Sequence, residues 1–150
     1  MEDLNFDVKG VGCEKPLSSL ALKDYLKEAK VVLIYPVSLP FNKKLYSENS
    51  QLADRLKNKI EKLCKKRENN NYFKDPSPFF ENHPHSKEAD DFVLIHSIGE
   101  YEKVRFKGKF NDIVLEVLVD MIERYLNNHF KELYIDISSG HNIYLSALLE

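Results

Sequence analysis

No part of the 150-residue chain approaches the ~20 consecutive apolar residues that a membrane-spanning helix needs. The start, "MEDLNFDVKG", is polar and has none of the layout of a signal peptide. Cysteine is scarce: Cys13 and Cys64 stand far apart and form no CxxC pair. That disfavours a disulfide framework and fits reduced thiols, so a cytoplasmic setting is expected. Nor is one sign of charge in excess. Lys+Arg total 22 against 24 Asp+Glu, a formal net charge of −2, so no global basic field points to long nucleic acid. A small anion stays compatible, because it needs only a few local donors.

The common ligand and nucleophile signatures are missing too. The chain has no GxGxxG fingerprint, no Walker A loop and no GxSxG elbow, which removes the usual dinucleotide, ATP and serine-hydrolase readings. No internal repeat is evident. What is present is an ordinary globular composition, 43% hydrophobic and 31% charged, at a length that suits one domain over residues 1–150.

Along the chain, strand-like and helix-like patterns alternate. In "PLSSLALKDYLKEAK" a helix is expected, with Leu17, Leu20, Ala21 and Ala29 on helical spacing and Pro16 at its start. Residues 31–35, an unbroken apolar run rich in β-branched residues and stopped by Pro36, read as a strand covered on both faces. Leu52, Leu56, Ile60, Leu63 and Cys64 predict a second helix that ends near Asn69. From 69 to 91 the chain is polar and proline-punctuated, and is expected to be a surface loop insertion. Residues 92–97 predict a second strand, and the charged stretch "EKVRFKGKFND" then leads into a long helix over 112–126. There Ile113, Val114, Val117, Leu118, Met121, Ile122, Tyr125 and Leu126 make one apolar stripe, closed by Asn127 and Asn128. A third strand, 132–137, precedes a last helix. The alternation predicts an α/β fold: a Rossmann-like open sheet, largely parallel, with helices on both faces.

Ligands of such sheets bind beyond the carboxyl ends of the strands. Three ends are recognisable: "YPVS" with Pro36 and Ser38, "HSIG" with Gly99, and "DISSGHN" with Ser138, Ser139, Gly140, His141 and Asn142. The last suits an anion or a nucleotide. Gly140 permits close backbone approach, the next helix offers free N–H donors, and Ser138, Ser139 and Asn142 add side-chain hydrogen bonds. The same residues also suit a plain helix cap, with Ser138 or Ser139 capping and Gly140 turning the chain; both readings stand.

Other candidates are weaker. Arg124 and His129 in "RYLNNH" match the R-x4-H spacing of HEPN ribonucleases, but the spacing is common and the helix is expected to end at Asn127. His83 and His85 in "HPHS" have no third ligand at sensible spacing, so no metal site is expected. His96 reads as a satisfied histidine inside a buried strand. "KKR" at 65–67 reads as the solvated end of a helix.

"YIDISSGHNIYLSALL" resembles the strand–turn–helix signature of the CARF domain, the CRISPR-associated Rossmann fold of type III defence effectors. There a strand ending Asp-x-Thr-His-Gly is followed by an Asn and an apolar helix. Asp136, Gly140 and Asn142 fall on matching positions; Ser138 stands for Thr, Ser139 for His, and the histidine comes one place later as His141. Gly99, Phe106, Gly108 and Asp112 resemble the family's glycine-containing strand end and Phe-x-Gly…Asp segment, and residues 8–39 resemble its early strand, first helix and second strand.

The resemblance implies a homodimeric regulatory sensor of antiviral defence. It would bind cyclic oligoadenylate, with cyclic tetra-adenylate the expected ring, across the two-fold axis and switch an effector, often a HEPN ribonuclease. No cofactor, membrane or long nucleic acid is implied, and no catalytic residue is assigned. Against the family, the segment is expected to be incomplete at both ends. Two alternatives remain open: a ring nuclease cleaving the same ligand, with Ser139 and His141 stabilising the oxyanion, and an α/β interaction domain without a nucleotide.

Overall fold

The structure, a computed structural model, describes residues 4–8, 11–15, 17–41, 58, 71–83, 85–101 and 104–136. Its centre is a pair of parallel strands. β3 (Val32–Pro36) and β4 (Asp91–Ile95) run in register from Val32 opposite Asp91 to Pro36 opposite Ile95. Successive side chains of a strand point to opposite faces, and here both faces are covered. Leu33 and Tyr35, beside Phe92 and Leu94, turn to one core, while Ile34 and Ile95 turn to the other.

The first core collects Leu20 of helix α1 (Ser18–Leu26) with Phe41, Tyr72, Phe79 and Phe80. The second is closed by Ile113 and Val117 of a long helix, Phe110–Asn128. The predicted α/β class with helices on both faces therefore holds. Within the described residues the parallel sheet has two strands, and two antiparallel hairpins flank it: β1 (Leu4–Val8) with β2 (Val11–Lys15), and β5 (Ile98–Tyr101) with β6 (Val104–Lys107).

Four expectations need correcting. The segment 69–91, read as a surface insertion, supplies core instead. It forms two short helices, α2 (Asn71–Lys74) and α3 (Ser77–Glu81), and buries Tyr72, Phe79, Phe80 and His83. Proline misled that reading: Pro76 and Pro78 sit at the start of α3, where a missing N–H costs nothing.

Residues 104–107, read as part of a charged lead-in, are the second strand of the β5–β6 hairpin. Val104 and Phe106 are half-buried while Arg105 and Lys107 are exposed, a two-residue alternation hidden by the charges. The strand expected over 132–137 is not formed at 132–136. These five residues are exposed, pair with no strand among the described residues, and leave Leu133, Tyr134 and Ile135 open. A strand needs a neighbour to accept its backbone bonds, and among the described residues this stretch is anchored through Asp136.

Finally, the stripe on α4 (Phe110–Asn128) is buried along one edge alone. Ile113 and Val117 are buried and Val114 and Met121 half-buried, whereas Leu118, Ile122, Tyr125 and Leu126 stay exposed, since the two parallel strands of the described residues cover only part of the face. The helix predicted over 52–64 lies outside the described residues.

A buried polar chain ties α3's neighbourhood to the sheet. The Ser86 hydroxyl donates to the Tyr35 oxygen at 3.1 Å, and the Tyr35 hydroxyl lies 3.2 Å from His83 Nδ1. Burial pushes the Tyr35 phenol up to about 12, against the opposing pull of the Ser86 bond. Phe80 stacks on Tyr35 with ring centres 4.9 Å apart and is fully buried. Replacing it should therefore act on the sheet directly: Phe80→Ala is expected to cost about 3–5 kcal/mol, read as a lowered midpoint in urea unfolding. A loss below ~1 kcal/mol would return 71–83 to the periphery.

Candidate functional site

Ion pairs fix how the elements run. Arg124, near the end of α4, pairs with Asp91 at the start of β4 at 2.8 Å, while Glu116, near the other end of α4, reaches His96 just past the end of β4. So α4 lies antiparallel to β4 and starts at the sheet's carboxyl edge. Helix α1 is joined to β3 by a short link, and Lys23 reaches back to Asp90 at 2.8 Å, which directs its N-terminus toward the same edge.

Three backbone segments meet at that edge. The Ser38 N–H donates to Ser97 Oγ at 2.9 Å, the Gly108 N–H to the Ser97 carbonyl at 3.1 Å, and the Val37 N–H to the Ile95 carbonyl at 3.0 Å. Gly108 is required by contact: a Cβ there would lie 2.7 Å from the Ser97 oxygen and 3.3 Å from His96 Cβ. The structure thus brings together the two predicted strand ends and adds a third segment, Gly108, ahead of α4.

Of the predicted ligand residues, Pro36 closes β3 opposite Ile95. Ser38 is buried, at 2% exposure, among its own structural bonds. Gly99 is exposed, with a φ of +112° that favours glycine. Ser138, Ser139, Gly140, His141 and Asn142 lie outside the described residues. The residue that leads to them does not. Asp136 caps α1 from a distance, its carboxylate accepting from the Ser19 N–H at 3.1 Å and from the Ser18 hydroxyl. Leu17, at the cap position, offers no side-chain acceptor, so a carboxylate from residue 136 serves the helix start.

His96 is corrected from a core histidine to an exposed one. It lies beyond β4, and Glu116 accepts both its backbone N–H, at 2.8 Å, and its Nδ1. The pairing spans a strand hairpin and half a helix, so no local spacing announces it. Arg124 is spent on structure: its guanidinium bonds Asp120 at 2.7 Å and Asp91 at 2.8 Å, and His129 ends α4 as a left-handed cap. His83 is buried beside Tyr35 and stands 5.1 Å, ring to ring, from His85. Among the described residues no group of three or more potential metal ligands occurs.

The amino edge carries its own electrostatics. Partial burial pushes the Asp91 carboxyl up, but the Arg124 bond and charge and the Phe92 N–H outweigh it, and the group is held below the usual carboxylate range. Asp90 is lowered in the same way, against burial, by Lys23 and the Val31 N–H. A depressed folded-state value stabilises above the unfolded value of ~3.9 and is lost as pH falls through the folded one. The stability gap between the parent and Asp91→Asn should therefore be constant at neutral pH and vanish on acidification below pH ~4, in urea titrations across pH. A gap that survives there would mean the ion pair is not its source.

The family model described as "CRISPR system endoribonuclease Csx1, CARF domain" matches residues 2–150. No curated protein and no solved structure matches the chain.

Proposed function

The chain belongs to the CARF domain family of the CRISPR endoribonuclease Csx1, a family of regulatory sensor domains, and from that premise we propose that it binds cyclic oligoadenylate and relays its presence to an effector. The observation that carries this reading is a match running across nearly the whole chain, residues 2–150, the "DISSGHN" turn included. The geometry supports it chemically. Asp136 is held at the start of α1, at the carboxyl edge where α/β sheets take their ligands, and the next residues supply glycine, hydroxyls and an amide.

In this reading Gly140 lets backbone amides approach the ligand, and Ser138, Ser139, His141 and Asn142 contact its phosphate or ribose oxygens. Pro36, Ser38 and Gly99 shape the neighbouring strand ends. Two copies bind one ring across a two-fold axis, which suits cyclic tetra-adenylate, in the cytoplasm, where no cofactor is needed. Asp136 braces the site and touches no anion, since carboxylate and phosphate repel. The domain senses without cleaving.

Calorimetric titration with cyclic tetra-adenylate tests this. Gly140→Val should abolish binding with the fold retained by circular dichroism, and Asn142→Ala should weaken it by about 1–3 kcal/mol. Both variants binding like the parent would reduce the turn to a helix cap. Recovery of linear product after incubation would turn the sensor into a ring nuclease.

A further inference from the structure

A cluster of titratable groups also meets at the carboxyl edge among the described residues. His96 follows β4 with a side chain 65% exposed, and Glu116 holds it from two directions, through its backbone N–H and through Nδ1. A carboxylate that accepts from Nδ1 fixes the ring and leaves Nε2 as the outward nitrogen. Gly108 passes against His96, close enough that a Cβ would sit 3.3 Å from His96 Cβ. The residues on either side of that glycine are Lys107 and Lys109, both exposed. Asp112, in the first turn of α4, is the other charge on this end of the helix. Asp136, held on Ser18 and Ser19 at the start of α1, is a third carboxylate on the same edge, and its charge is directed to that helix.

We propose that His96, oriented by Glu116, is a phosphate contact for the domain's anionic ligand, and that Glu116 is its positioning residue. The inference rests on the ligand reading above and adds to it a second point of attachment. Protonated, the ring donates Nε2–H to a phosphodiester oxygen in a charge-assisted bond; neutral, with Nδ1–H given to Glu116, it has only a lone pair to offer and the contact is lost. Lys107 and Lys109, on either side of Gly108, add a background attraction for an anion. Phosphodiesters stay ionised, so the imidazole is the group that links binding to pH. Ligand uptake should be accompanied by proton uptake, and affinity should rise as pH falls.

The test is calorimetry with cyclic tetra-adenylate at about pH 6 and about pH 8, on either side of ordinary imidazole titration, in buffers of different ionisation enthalpy. The parent should bind about tenfold more tightly at the lower pH and take up protons on binding. His96→Gln, at an exposed position, should remain folded, bind more weakly at the lower pH, and show no pH dependence. Glu116→Gln keeps the imidazole but loses its ionic anchor, so the gain on acidification should shrink. A merely structural Glu116 would lower affinity equally at both pH values. If the parent binds equally at both, or if His96→Gln retains the pH dependence, this contact is wrong and the ligand reading stands. If the parent binds no cyclic tetra-adenylate at either pH, both fall.

Discussion

The parallel pairing of β3 with β4 is the constraint on which the described structure depends. Two parallel strands cannot be joined by a tight turn, so the chain between them must travel back along the sheet. It must also cover a face while doing so, because both strands are apolar on both sides. The return path brings Tyr72, Phe79 and Phe80 onto one face, where Phe80 stacks on Tyr35, and α4 then seals the other through Ile113 and Val117. Ion pairs between α4 and the two ends of β4, Arg124 with Asp91 and Glu116 with His96, fix the direction in which that helix runs. Being surface pairs, they add little stability of their own; what they record is register.

Direction decides where chemistry can occur. Because both helices start toward the carboxyl edge, their N-terminal turns and the positive ends of their dipoles lie on the side where the strands end. The backbone of the described segments there is drawn together by hydrogen bonds to Ser97 from Ser38 and Gly108. A preformed edge of this kind loses less ordering entropy on binding than a loose one. It also explains two glycines by different physics. Gly108 yields space to the Ser97 carbonyl, whereas Gly99 adopts a φ that other residues avoid.

Legibility in the sequence followed hydrophobic period and failed where polar residues interrupt it. The runs at 31–35 and 92–95 and the repeat through Ile113 and Val117 were readable because burial on a regular element leaves a regular trace. The β5–β6 hairpin was hidden because its outward positions carry Arg105 and Lys107, which read as a solvated loop. Phe79 and Phe80 were hidden among prolines and histidines although they lie deep in the core. Residues 132–136 failed in the opposite sense: an apolar run looks like a strand whatever its surroundings, and pairing is a property of neighbours. At the site, strand-end chemistry pointed to the carboxyl edge, but the Glu116–His96 pairing and the Asp136 cap join residues 20 and 117 positions apart and leave no local signature.

The Asp136 cap carries the argument one step further. A carboxylate at a helix start satisfies orphan N–H groups and complements the positive end of the dipole, and α1 has no acceptor of its own at Leu17. Residue 136 is therefore placed by α1 as much as by its own segment, although residues 132–136 are otherwise exposed. Whatever follows Asp136 begins from a fixed point at the carboxyl edge. An aspartate at that point is engaged with Ser18 and Ser19, which directs its charge to the start of the helix. The acidic residue of the motif is thus compatible with the anion-binding turn proposed after it, because its charge is met by the N-terminal turn of the helix whose start it closes.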